Sequence, residues 1–204
     1  MSYEISVIIP TFNREKYIGR CMRSLITQSI GTDNFEIIII DDGSTDDTKK
    51  ILNTFKNEFK ILENGKNLGL PASLNKGINE CSGKYVIRVD SDDYVNKDFL
   101  KILHLFISQN KDFSAAACDY YLVDDDENFV ERVNCEEKPI GCGIIFEKKD
   151  LISIGLYNEK FLINEEKELR ERFEKKFSIH RVPIPLYRYR KHNENMTNEI
   201  NKDE

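Results

Sequence analysis

No stretch of this chain approaches the run of about 18 apolar residues that a membrane-spanning helix needs. Met1-Ser2-Tyr3-Glu4-Ile5 has neither the basic segment nor the apolar core of a secretory signal. The cysteines, Cys21, Cys81, Cys118, Cys135 and Cys142, include no CxxC pair, and no histidine stands at zinc-site spacing from them. An odd, scattered set of this kind argues against a disulfide framework and predicts reduced, mostly buried thiols in a cytoplasmic protein. A basic footprint is missing as well. The 30 Lys and Arg are outnumbered by 36 Asp and Glu, a net charge of −6, so a dedicated nucleic-acid binder is not expected. Internal repeats and low-complexity linkers are absent. So are two phosphate-binding signatures: GxxxxGK followed by Ser or Thr occurs nowhere, and GxGxxG does not follow the first apolar run. Neither a P-loop enzyme nor a dinucleotide-binding domain fits that pattern.

What is present suits one folded domain: 204 residues, 40% hydrophobic and 32% charged. Ile5-Ser6-Val7-Ile8-Ile9-Pro10 reads as a buried strand. Ile18, Cys21, Met22, Leu25 and Ile26 then mark one face of a helix beginning near Glu15. A second buried strand, 35–40, stops at Asp41-Asp42-Gly43-Ser44, and a helix is expected from Thr45 to about Phe59. A short strand at 60–63, a helix from Pro71 to near Gly83, a strand at 85–89 and a helix carrying Phe99, Ile102, Leu103, Phe106 and Ile107 follow. Strands alternating with short crossover helices require parallel pairing. The second half departs from this. A hairpin across Asp124–Asn128, a strand at 141–146, a helix near 148–154, a charged helix at 165–176 and two short strands, 179–182 and 186–190, predict a mixed sheet flanked by helices.

Two of the parallel strands run into acids. Asp90-Ser91-Asp92-Asp93 places three carboxylates within four residues, immediately after Tyr85-Val86-Ile87-Arg88-Val89. Unpaired charge is costly inside a buried strand, so the acids belong at its carboxyl end, the edge where open α/β sheets bind ligands. Taken alone, the cluster reads equally as a metal site or as an Asp-rich cap of the next helix. Asp41-Asp42 at the neighbouring strand end tips the balance toward Mg²⁺ or Mn²⁺ with a nucleotide diphosphate, because such clustered acids repel one another without a counter-ion. Phe12 in the first loop either stacks on a base or fills core.

The ordered motifs Val7-Ile8-Ile9-Pro10-Thr11-Phe12-Asn13-Arg14-Glu15, Ile39-Ile40-Asp41-Asp42-Gly43-Ser44, Asn67-Leu68-Gly69 with Asn75-Lys76-Gly77, Val89-Asp90-Ser91-Asp92-Asp93, Gly155-Leu156-Tyr157-Asn158-Glu159, Glu165-Glu166 and Tyr189-Arg190-Lys191-His192 together resemble the family 2 glycosyltransferases. The resemblance implies a single-domain, Rossmann-like A-type nucleotide-diphospho-sugar transferase fold over 1–195, with a nucleotide-binding half (1–110), an acceptor-side half (111–195) and a polar tail (196–204). It implies a metal-dependent, inverting sugar transfer from a UDP-linked donor to a sugar or lipid-linked hydroxyl acceptor. By position it places Pro10, Thr11, Phe12, Glu15, Asp42, Asn67, Asn75, Asp90 and Ser91 on the nucleotide, with Asp42 at the pyrimidine and Asp90 at the ribose. Asp92 falls at the metal position of the family's DXD element, and Asp93 shares that duty. Arg190 and His192 match an Arg-x-His element that approaches the diphosphate. Glu166 matches the general base, where Asp is usual, one methylene longer. From the residues alone, Glu166 reads as a solvated acid at a helix start and His192 as an exposed tail histidine. Two rival readings are a sugar-phosphate nucleotidyltransferase, which expects a Gly-rich basic loop after the first strand, and a homologue that binds nucleotide sugar without turnover. The cations Arg181, Arg188, Arg190 and Lys191 suggest a modest basic face that either meets anionic lipid at the inner face of a membrane or is simply solvated.

Overall fold

The structure is a computed structural model and describes residues 3–161, 163–193 and 195; the tail expected at 196–204 lies outside them. Its first half runs β1 (Ile5–Thr11), α1 (Ile18–Ile26), β2 (Phe35–Asp41), α2 (Thr48–Asn53), β3 (Lys60–Glu63), α3 (Leu70–Glu80), β4 (Tyr85–Arg88), β5 (Tyr94–Val95) and α4 (Phe99–Gln109). The second half contributes β6 (Ala115–Val123), β7 (Phe129–Val133), β8 (Ile144–Glu147), α5 (Lys148–Ser153), α6 (Glu165–Glu174) and β9 (Ile179–Arg190). Among the described residues the strands form one sheet in the order β3-β2-β1-β4-β8-β6-β9-β5, with β7 paired to β6. Strands β3, β2, β1 and β4 are parallel, whereas β8 joins β4 antiparallel. The sheet is therefore mixed, as the two differently patterned halves predict.

Alternation along β1 shows how the layers are built. Ile5, Val7 and Ile9 join one buried cluster with Ile18, Met22 and Leu25 of α1 and Leu103 of α4. Ile8 faces the opposite cluster, with Leu74 and Ile78 of α3 and Leu169 and Phe173 of α6. Burial on both faces is why β1 and β2 are almost continuously apolar. Helix α3 presses so closely on the sheet that a Cβ at Gly77 would lie 2.6 Å from side-chain carbons of Ile8 and Ile40.

Four expectations are corrected. Helix α2 spans six residues only, because Thr45, Asp46 and Asp47 are stitched to the first loop instead of continuing a helix. The Thr45 N–H donates to Asn13 Oδ1 (2.9 Å), the Asp47 N–H to Glu15 Oε2 (2.7 Å), and the Glu15 N–H to Asp46 Oδ2 (3.0 Å). The two terminal strands are one, β9, whose register against β6 shifts around Asp119 opposite Pro183 to Pro185, where prolines cannot donate to the ladder. Residues 141–143 precede β8 as a loop, with Gly143 at a positive φ. The two-residue β5, pairing antiparallel with β9, has no pattern long enough to read in sequence. The expected basic face does not form one exposed patch, since Arg190 is buried and Arg181 is paired with buried Asp119 at 2.8 Å.

Candidate active site

The parallel strands deliver Thr11, Asp41 and, one residue beyond β4, Val89-Asp90 to the same sheet edge. A cleft of about 520 Å³ opens there, closed on the far side by residues 139–142 and by 163–166 ahead of and within α6. Pro10, Thr11, Phe12, Asp42, Asn67, Asp90, Ser91, Asp92 and Glu166 all line it, so nine of the sequence-predicted site residues meet in one place. Glu15, Asn75, Asp93, Arg190 and His192 are not in its lining. Glu15 stitches loops, as above. Asn75 is spent on the backbone of Tyr157, donating to its carbonyl (2.9 Å) and accepting from its N–H (3.0 Å).

On the nucleotide side, Asp42 is held rigidly. Its Oδ1 accepts from Asn64 Nδ2 (2.7 Å) and the Leu68 N–H (2.9 Å), and its Oδ2 accepts from the Gly69 N–H (2.9 Å). Gly43 makes this turn feasible: its φ is +82°, and a Cβ would meet the Lys66 backbone at 2.9 Å. Phe12 is 37% exposed, too open for a core residue and well placed as a ring at the cleft. Thr11 Oγ1 is buried at the cleft with no hydrogen-bond partner among the described residues, which leaves a donor unused beside Phe12.

At the end of β4 the acids divide their duties. Asp90 receives a two-pronged ion pair from Arg88, Nε to Oδ1 at 2.6 Å and Nη2 to Oδ2 at 3.1 Å, while its N–H donates to the Tyr187 hydroxyl at 3.0 Å. Arg88 also reaches Glu165 on α6, Nη1 to Oε1 at 3.0 Å. Asp92 faces an imidazole and a guanidinium: His192 Nε2 lies 3.0 Å and Arg14 Nε 3.4 Å from its Oδ2. Burial opposes ionisation of Asp92, but His192 and Arg14 outweigh it and hold the carboxyl below the ordinary range. Asp93 is turned inward, its Oδ1 accepting the Arg190 N–H at 2.7 Å. Burial, and then the charges of Asp92 and Asp90, push Asp93 well above the usual carboxylate range.

A hard dication fits Asp92 better than the neighbouring cluster. Asp90, Asp93 and Cys142 offer ligand atoms within 4.8 Å of one another. Yet Asp90 is occupied by Arg88, Asp93 by a backbone N–H, and burial followed by the charges of Asp90 and Asp93 pushes the Cys142 thiol well up, leaving a soft, protonated donor. Asp92 is a cleft-facing carboxylate with the Arg14 guanidinium 3.4 Å away, a positive charge that a bound cation would replace.

Glu166 lines the cleft across from these acids, beside Glu165. Burial raises the Glu165 carboxyl despite Arg88, with the Glu166 charge adding to the rise. Gly141 lies under Glu166: a Cβ there would be 2.8 Å from Glu166 Cβ and 3.0 Å from Arg88 Nη1. Sequence reading missed the roles of Arg88, Arg14 and Tyr187. Arg88 left a usable signal, since one cation inside the otherwise apolar run 85–89 demands a buried acid as partner.

A mixed sheet with helices on both faces and an acid-lined cleft at the parallel strand ends defines an A-type nucleotide-diphospho-sugar transferase fold. The structure aligns with TarS of Staphylococcus aureus in complex with UDP-GlcNAc at a TM-score of 0.82 and 23% identity, covering 96% of this chain and 60% of that one. It aligns with a mannosyltransferase of Pyrobaculum calidifontis in complex with GDP-Man and Mn²⁺ at a TM-score of 0.76 and 15% identity, covering 96% and 59%. The sequence model described as Glycosyl transferase family 2 matches residues 6–173, and the chain belongs to that family of glycosyltransferases. Among individual relatives, glycosyltransferase GlyA of Streptococcus pneumoniae is 37% identical over 126 residues, 61% of this chain and 18% of that protein. The poly(ribitol-phosphate) beta-N-acetylglucosaminyltransferase TarS of Staphylococcus aureus is 38% identical over 110 residues, 52% of this chain and 19% of that protein. The chain thus spans about a fifth of the length of these two relatives. No helix among the described residues is long and apolar enough to cross a membrane.

Proposed function

We propose that this glycosyltransferase moves a sugar from a UDP-linked donor to a hydroxyl of a sugar or lipid-linked acceptor, with inversion, as part of cell-surface polymer or glycoconjugate synthesis. The observation that carries this reading is the convergence of Asp42, Asp92 and Glu166, from three separate segments, on one cleft. Asp42, fixed by three hydrogen bonds, presents a rigid acceptor edge beside Phe12 and the unpartnered Thr11 hydroxyl, an arrangement suited to a stacked pyrimidine ring. Asp90 and Ser91 face the ribose. Asp92 holds the dication, Mn²⁺ or Mg²⁺, which when bound neutralises the leaving diphosphate.

The Glu166 carboxylate accepts the proton of the acceptor hydroxyl as that oxygen attacks the anomeric carbon. The bond from that carbon to the diphosphate oxygen breaks on the opposite side, so the configuration inverts. Glutamate in place of the usual aspartate suits the chemistry as long as a carboxylate oxygen reaches the hydroxyl. Its seating over Gly141 sets that reach. The poly(ribitol-phosphate) substrate in the name of the TarS relative supports a polymeric hydroxyl acceptor.

Thermal stabilisation by a panel of nucleotide sugars, with and without Mn²⁺, tests the donor class. UDP-sugars at about a hundredfold excess over Kd should add roughly 2.7 kcal/mol of stability, and only with metal present. Stabilisation by none of the panel refutes the reading.

A further inference from the structure

We infer that Arg14 is the cation that binds the donor's diphosphate, and that Arg190 is a brace that holds Asp92 from behind. The inference rests on the nucleotide-diphosphate reading above and deepens it. It begins with the positive charge available at the cleft. Among the described residues lining it, the arginines and lysines are Arg14 and Arg88. Arg88 is committed: its guanidinium grips both oxygens of Asp90 and one of Glu165, and its side chain is 10% exposed. A phosphate group could take Arg88 only by leaving buried Glu165 and half-buried Asp90 without their cation.

Arg190 is committed more completely. Nε donates to the Asp92 carbonyl (2.9 Å), Nη1 to the Asp125 carbonyl (2.9 Å) and Nη2 to Glu127 Oε1 (3.0 Å). The rings of Tyr17 and Tyr94 lie 5.2 Å and 5.5 Å from its guanidinium, and the side chain is 3% exposed. Each arm of this planar fork has a partner, and two partners come from the hairpin between β6 and β7. A guanidinium used in this way fixes geometry. Here it fixes the Asp92 main chain against the hairpin and against the end of β9.

Arg14 is built the opposite way, anchored at its root and loose at its tip. Its backbone N–H donates to Thr48 Oγ1 at 2.8 Å, and its carbonyl accepts the N–H groups of Tyr17 and Ile18 at the start of α1. The guanidinium holds the carbonyls of Asn13 (3.1 Å) and Phe12 (3.4 Å), and lies 3.4 Å from Asp92. These contacts are longer than those of Arg190, and the side chain is 17% exposed. Occupation of Asp92 by a dication would remove the carboxylate that now attracts Arg14. The guanidinium would then face whatever anion arrives with the metal, and the diphosphate is that anion.

Calorimetry of UDP and uridine on the intact chain, both with Mn²⁺, tests this, because uridine lacks the diphosphate and reports base and ribose contacts alone. In Arg14→Gln the UDP Kd should rise about tenfold or more, as for loss of one charge-assisted contact, with uridine binding unchanged. Arg14→Lys, which keeps the charge, should recover part of the loss. In Arg190→Gln the ligand-free melting temperature should fall, with the ratio of UDP to uridine affinity kept. A ratio unchanged in Arg14→Gln overturns the inference, as does a ratio that collapses only in Arg190→Gln. If Arg190→Gln does not fold, the ratio in Arg14→Gln decides alone. Failure of the wild-type chain to bind UDP at all sinks the donor reading instead, so the two failures are distinguishable.

Discussion

The two halves of the molecule contribute to the cleft in different ways. Residues of the first half reach it from strand ends: Thr11 and Asp42 beside β1 and β2, and Asp90 and Asp92 after β4. Parallel pairing in the centre of the sheet fixes the strand ends from which they project. Residues of the second half work mostly through others. Tyr187 fixes the Asp90 N–H, Arg190 the Asp92 carbonyl and the Asp93 side chain, and His192 the Asp92 carboxylate. Glu165 and Glu166 come from the start of α6, and Glu165 reaches the first half through Arg88. The difference teaches that the end of β4 supplies the acids while the end of β9 and the residues after it aim them. One guanidinium, that of Arg88, ties the end of β4 to the start of α6.

The most severe way to break this division is at the groups assigned to the chemistry. Asp92→Ala should abolish turnover of the donor and the manganese dependence of UDP binding, and Glu166→Gln should bind donor normally yet lose transfer by roughly 10²- to 10⁴-fold. An Asp92→Ala protein that binds UDP with unchanged manganese dependence would remove Asp92 from the metal. Retained transfer in Glu166→Gln would remove Glu166 from the base role. Next in size is the tie between the halves. Arg88→Met keeps the volume of the stem but leaves buried Glu165, and half-buried Asp90, without their cation, a loss of about 3–5 kcal/mol. For a chain of this length that corresponds to a fall of roughly 10 °C in melting temperature. An unchanged melting temperature would show that the tie carries no weight.

That contrast also sets what could be read from the sequence. Parallel strands buried on both faces leave apolar runs, and acids at their ends interrupt those runs abruptly, so β1, β2, β4, Asp42, Asp90 and Asp92 were all legible. The resemblance added Glu166, which composition alone could not separate from its neighbours in Glu165-Glu166-Lys167-Glu168. What stayed hidden depends on contacts across long sequence separations. Arg88 and Glu165 are 77 residues apart, Arg190 and Asp92 98 apart, and Asp90 and Tyr187 97 apart. The inward turn of Asp93 was equally unreadable, because three clustered acids look alike until the end of β9 takes one of them through the Arg190 N–H. Thr45 to Asp47 misled for a local reason: their backbone N–H groups and side chains bond to Asn13 and Glu15, where helix propensity anticipated a longer α2.

The smallest expected effect probes the charge balance at the same tie. Glu165 is raised above its ordinary value by burial, which outweighs Arg88, with Glu166 contributing repulsion. A carboxyl whose folded-state pKa lies above its unfolded value of about 4.3 favours folding in its protonated form. Its contribution is therefore fully present below that unfolded value and is lost as pH rises through the higher folded value. Glu165→Gln mimics the protonated form at every pH, so the variant should lose less stability than the wild type across the mildly acidic range just above pH ~4.3. Denaturant midpoints measured along that range, without metal or nucleotide, check the difference. Identical slopes for the two proteins would mean that Arg88 neutralises Glu165 fully. The pair would then be a plain structural ion pair, and the link between the end of β4 and α6 would rest on its geometry alone.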